Sequence, residues 1–131
     1  MKAKAAVMRA AHEPLTIEEI EVDKPARREV LIRTAFAGVC HSDLHFIEGL
    51  YPIPCPCVLG HESAGVVEAV GEDVTYVKPG DHVITCLSTF CGECEFCLTG
   101  RMTLCESPMV KRPNDGQQRL TQNGEVVGQF A

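Results

Sequence analysis

Four cysteines constrain this chain more than any other feature: Cys91, Cys94, Cys97 and Cys105 stand in the spacing C-x2-C-x2-C-x7-C. Two successive C-x-x-C steps let backbone turns aim neighbouring thiolates at one tetrahedral ion about 2.3 Å away, a geometry that suits zinc better than disulfides. Four thiolates leave no coordination position open, so the spacing predicts a structural metal site. Gly92, Glu93, Glu95, Thr99, Gly100 and Arg101 read as the turn-rich lobe wrapped around it. The other four cysteines are dispersed as Cys40, Cys55, Cys57 and Cys86. In Tyr51-Pro52-Ile53-Pro54-Cys55-Pro56-Cys57 the alternating prolines hold the chain extended, and both cysteines read as packing or surface thiols. Cys86 ends the apolar run Val83-Ile84-Thr85-Cys86 and is expected to behave as a small buried hydrophobe.

Composition narrows the partners. Eighteen Asp plus Glu against 12 Lys plus Arg give a formal net charge of −6, and no Lys/Arg block is present to neutralise phosphate, which argues against nucleic acid or an anionic membrane surface. Apolar runs such as Val30-Leu31-Ile32 fall far short of the ~20 residues of a spanning helix. The N-terminal stretch reaches Arg9, His12 and Glu13 before a secretory apolar core of about 7–15 residues could form, so a cytoplasmic location is expected. Reduced thiols in that compartment favour metal ligands over a disulfide-rich secreted domain.

Most of the chain reads as short strands separated by turns: Lys4 to Ala10, Leu15 to Val22, Glu29 to Ala37, Ala64 to Val70, His82 to Cys86, and a last strand from Glu125 to Phe130. In the second strand Leu15 and Ile17 share one face while Ile20 and Val22 share the other, and a bulge at Glu18-Glu19 would explain the slip. Ser42 to Glu48 fits one or two helical turns, with Ser42 as N-cap and Gly49 as the stop. Gly71-Glu72-Asp73 and Lys78-Pro79-Gly80-Asp81 read as turns. Ser107 to Gly124, with Pro113-Asn114-Asp115-Gly116, reads as a loop or loose hairpin. The pattern predicts a mainly β, curled body with the cysteine lobe as an excursion.

Gly38-Val39-Cys40-His41-Ser42-Asp43 and Gly60-His61-Glu62 add a thiolate, imidazoles and carboxylates at strand ends, all of them zinc-ligand types. With the four-cysteine lobe they make a specific combination, and by it the chain resembles the N-terminal, GroES-like catalytic domain of the medium-chain zinc-dependent alcohol dehydrogenases. The resemblance covers essentially residues 1–131 and implies a GroES-like, partly open β-barrel with a few short helices and a zinc-binding lobe at 88–106. It further implies that Cys40 and His61 are ligands of a catalytic zinc and that Cys91, Cys94, Cys97 and Cys105 hold a structural one. Asp43 would orient the ligand histidine, and Glu62 would approach the metal when water exchanges. Ser42 and His45 would relay the alcohol proton, and His41 would contact a cofactor phosphate. Tyr51 and Leu87 are candidate pocket walls.

The implied reaction oxidises an alcohol to an aldehyde or ketone by hydride transfer to NAD or NADP. Its nicotinamide domain is not in this chain: the glycines stand at 38, 49, 60, 65, 71, 80, 92, 100, 116, 124 and 128, no two of them two apart, so no G-x-G-x-x-G fingerprint exists. The family's usual third zinc ligand would lie past Ala131. The expectation is therefore a piece of an enzyme, inactive alone, that self-associates as a homo-oligomer through an open edge at Glu125 to Phe130. The alternative is a stand-alone, zinc-stabilised GroES-like structural or interaction module, which would have no need of Cys40, Ser42, Asp43, His45 and His61 together.

Overall fold

The computed structural model describes residues 1–110 and 118–130, and they divide into two compact units, residues 1–85 with 118–131 and residues 86–117. The expected turn Pro113-Asn114-Asp115-Gly116 lies outside the described residues. None of the described helices is long and apolar enough to cross a membrane.

The first unit is built on two sheets. Strand β1 (Lys2–Met8) pairs antiparallel with β2 (Thr16–Val22) from Lys2↔Glu21 to Val7↔Thr16. This register runs without a shift, which corrects the expected bulge at Glu18-Glu19. The reason lies in what each side of β2 meets. Ile20 is 3 % exposed in the core while Ile17 is 73 % exposed, and Glu18 takes the inward-side position near the strand's start. It is satisfied there by Arg9, whose Nε donates at 3.0 Å, and by Gln122, whose Nε2 donates at 2.8 Å. A partnered carboxylate lets the pleat continue through the position where a bulge was expected. β1 also lies two residues earlier than expected, because Lys2 and Ala3 have partners in Glu21 and Ile20.

Beyond β2 come β7 (Leu120–Gln122) and β8 (Glu125–Val126), joined by Asn123 and Gly124 at φ of 52° and 82°. Two left-handed residues in succession make the tight Asn-Gly hairpin turn whose twist matches the flanking strands. On the other flank β1 pairs with β4 (Cys57–Val58), and β4 pairs in parallel with β9 (Gly128–Gln129), so the order is β8-β7-β2-β1-β4-β9. The two end strands are consecutive in sequence. Val127 N–H donates to Leu120 O on one side, while Gly128 and Phe130 N–H donate to Pro56 O and Val58 O on the other. The six-stranded sheet is therefore drawn nearly closed by the segment expected to form an open edge, and that expectation is corrected: its backbone groups are engaged by β7 and β4.

Val7, Ile20, Leu120 and Val127 form the core inside this curl, at 0, 3, 8 and 1 % exposure. Each such side chain contributes about 1.5–3 kcal/mol on burial. The second sheet has the order β3-β5-β6, from β3 (Val30–Ala37), β5 (Ser63–Val70) and β6 (His82–Ile84). The irregularities of the fold lie here, between Leu31 and Ile32 and between Thr34 and Phe36. Gly71 follows β5 where a Cβ would sit 1.8 Å from Ala26 O, so only glycine allows this approach. β6 ends at Ile84, and Cys86, beyond the ladder, is exposed, against the expectation of a buried thiol. Of the proline-flanked pair, Cys57 is buried on β4 and Cys55 is exposed.

The second unit holds a helix that the sequence reading did not expect, α2 (Glu95–Leu98), and two single 3-10 turns, Met102–Leu104 and Pro108–Val110.

Candidate metal centres

The helix α1 (His41–Ile47) follows β3 and carries most of the expected site residues. Cys40, at φ −100° and ψ 150°, takes the cap position that Ser42 was expected to fill. Asp43, the third helical residue, explains the shift: its Oδ2 accepts the Cys40 N–H at 3.1 Å, so the first turn is closed by the carboxylate reaching back. At the other end Gly49, at φ 70°, is the expected stop.

Asp43 is 7 % exposed, the buried charged residue among the described residues. Burying a carboxylate requires donors. Its second oxygen, Oδ1, accepts the Gly60 N–H at 3.2 Å and lies 3.5 Å from Nδ1 of His61. The carboxylate thereby ties the start of α1 to the Gly60-His61-Glu62 segment before β5. His61 has a side chain 8 % exposed, and its Nδ1 is buried without a hydrogen-bond partner. With Nδ1 turned toward Asp43, Nε2 is the nitrogen left to offer its lone pair, and it lies 3.9 Å from Glu62 Oε1. One ligand atom from each of Cys40, His61 and Glu62 falls within 4.8 Å of the others. Thiolate, imidazole and carboxylate at that spacing suit a borderline divalent ion.

Sequence reasoning missed two supports of this group. Gly38 leaves the room that Glu62 occupies, since a Cβ there would meet Glu62 Oε2 at 2.3 Å. The signal was legible as the glycine two residues before Cys40. Phe130 sets its ring edge-to-face against His61, with centroids 5.4 Å apart, and nothing near residue 130 in the sequence announces it. Ser42 is half-buried beside Cys40, and its hydroxyl has no hydrogen-bond partner among the described residues. His45 meets His41, with Nε2 and Nδ1 3.1 Å apart, and meets the half-exposed Tyr51 ring at a centroid distance of 5.2 Å. Leu87 falls in the second unit.

In that second unit Cys91, Cys94, Cys97 and Cys105 converge, their sulfurs all within 4.8 Å of one another, and none forms a disulfide. Cys94 and Cys97 sulfurs are 3.4 Å apart, while Cys91–Cys97 and Cys94–Cys105 are 3.9 Å apart. Backbone amides point into the cluster: Cys94 N–H donates to Cys91 Sγ at 3.3 Å and Cys91 N–H to Cys105 Sγ at 3.4 Å. Amide donation from Glu93 and Cys94 lowers the Cys91 thiol to about 6. Burial pushes Cys97 up to about 11. Four thiols this close can all ionise only where a cation compensates the accumulating charge.

The family described as "Alcohol dehydrogenase GroES-like domain" matches residues 26–130. An NDMA-dependent alcohol dehydrogenase of Amycolatopsis methanolica is 53 % identical over 106 residues, 81 % of this chain and 29 % of that protein. An S-(hydroxymethyl)glutathione dehydrogenase of Haemophilus influenzae is 54 % identical, covering 82 % of this chain and 29 % of its own. Among solved structures, an alcohol dehydrogenase zinc-binding domain protein from Burkholderia ambifaria superposes with a TM-score of 0.88 at 39 % identity, over 99 % of this chain and 36 % of that one. The chain thus spans about a third of the length of the proteins it matches.

Proposed function

The chain belongs to the alcohol dehydrogenase GroES-like domain family, and from that premise we propose that it is the metal-holding, alcohol-binding part of a zinc-dependent alcohol dehydrogenase. The reaction is oxidation of a small alcohol to an aldehyde or ketone, with NAD or NADP as hydride acceptor. The observation that carries this reading is the approach of Cys40, His61 and Glu62 within 4.8 Å, backed by a buried Asp43. The donor set fits zinc, and the orphaned Nδ1 of His61 fits a ligand histidine whose far nitrogen faces a carboxylate. Zinc bound there supplies Lewis acidity to a substrate hydroxyl.

The chain's own residues do the rest. Cys40 Sγ and His61 Nε2 hold the ion. Asp43 keeps the proton on Nδ1 and so leaves the Nε2 lone pair free. The Ser42 hydroxyl takes the substrate proton, and His45 passes it outward. His41 faces a cofactor phosphate, and Tyr51 lines the pocket beside His45. Cys91, Cys94, Cys97 and Cys105 hold a second, structural zinc in the lobe at 88–106, with no position open to substrate. Eight free thiols agree with a reducing, cytoplasmic setting.

Cobalt substitution tests the reading without relying on turnover. Cobalt at Cys40 and His61 gives d–d bands that saturating alcohol and aldehyde should perturb, and C40S should remove the response. A spectrum blind to both ligands would favour a purely structural module.

A further inference from the structure

His41 and His45 stand one turn apart on one face of α1. Their Nδ1 and Nε2 atoms are 3.1 Å apart, with ring centroids 4.8 Å apart and planes at 74°. His41 is exposed and His45 half-buried, so the space between them opens to solvent. The Tyr51 ring stands at 86° against His45 and restrains its orientation. With metal–nitrogen bonds of about 2.0–2.1 Å, a 3.1 Å bite subtends roughly 98° at an ion, between the octahedral and tetrahedral angles. The helix therefore presents two imidazole nitrogens already at chelating separation.

We infer that His41 and His45 form an additional, solvent-facing chelate for a borderline divalent cation such as zinc. It uses imidazole nitrogens alone, whereas the other two groups use thiolates, and imidazole suits zinc, copper and nickel. With two protein ligands and water in the remaining positions, it fills after the thiolate sites. Its functional consequence rests on the proposed relay role of His45: an ion there occupies the nitrogen that the proton needs, so excess zinc inhibits at a position separate from the zinc that supports activity. The competing reading of the 3.1 Å approach is a simple hydrogen bond in which one ring donates and the other accepts.

Calorimetric titration separates the two. The chain is first loaded with zinc, freed of excess ion and counted for metal, then titrated with zinc chloride. One further equivalent is expected, lost in H41Q and in H45Q, and kept in H82Q, which removes an exposed histidine on β6. The metal count before titration, unchanged in both α1 variants, shows that they remain folded. That same count tests the thiolate sites separately from this inference. No further equivalent, or one that survives both H41Q and H45Q, overturns the chelate and leaves the hydrogen-bonded pair.

Discussion

Asp43 Oδ1 lies 3.5 Å from His61 Nδ1, longer than an ordinary hydrogen bond, and both side chains are more than nine-tenths buried. The same carboxylate accepts two backbone amides, so it is fixed before any ion arrives. Asp43→Asn keeps the shape but removes the charge facing the imidazole. Metal affinity at Cys40 and His61 should fall by about 10–100-fold, the usual cost of losing such a partner. Competition with a coloured chelator measures it, and the four-cysteine cluster should keep its metal in the same sample. Unchanged affinity would mean that Asp43 serves only to hold the Cys40 and Gly60 amides.

The cysteine cluster lies wholly in residues 86–117, which form their own unit. Removing metal with a chelator, or making C97S, should therefore loosen that unit locally. Hydrogen exchange should rise across Cys91–Cys105 and stay slow at Val7 and Val67, which are 0 and 2 % exposed in the first unit. Uniform acceleration across both units would contradict independent stability.

Burial pushes the Cys57 thiol up to about 11. At pH 8 roughly one in a thousand such thiols is ionised, and the thiolate is the reactive form. Iodoacetamide under native conditions should modify exposed Cys55 and Cys86 and spare Cys57. Peptide mapping after brief labelling reads the result, and full modification after denaturation is the control.

Glu18 has its carboxyl lowered to about 2 by hydrogen bonds from Arg9, Thr16 and Gln122, in that order of weight. In the unfolded chain it titrates near its ordinary 4.5. A depressed folded value stabilises the protein above the unfolded value, and that stabilisation is lost as pH falls from about 4.5 toward 2. Urea midpoints in that window should drop less steeply for Glu18→Gln than for the parent. Parallel slopes would show that the group contributes nothing to acid sensitivity.

Chemistry was the part most legible in the sequence. The Cys91, Cys94, Cys97 and Cys105 spacing marks a local cluster because a short stretch with turns can bring its own sulfurs together. Cys40, His61 and Glu62 were readable as donor types, and α1 was readable from its span and its glycine stop. Local signals of this kind act within a few residues, where backbone geometry decides the outcome. What the tertiary structure alone decided depends on distant partners. Glu18 could enter the inward side of β2 because Arg9 and Gln122 meet it there, so no bulge formed. Asp43 moved the helix start from Ser42 to Cys40 by reaching back to the Cys40 N–H, and Gly60 and His61 meet the other oxygen of that carboxylate. Glu125 to Phe130 closed the sheet because Leu120 and Val58 arrive on opposite sides of it. In each case the deciding free energy comes from satisfying buried polar or backbone groups with residues far along the chain, a constraint that exists only once the fold has brought them together.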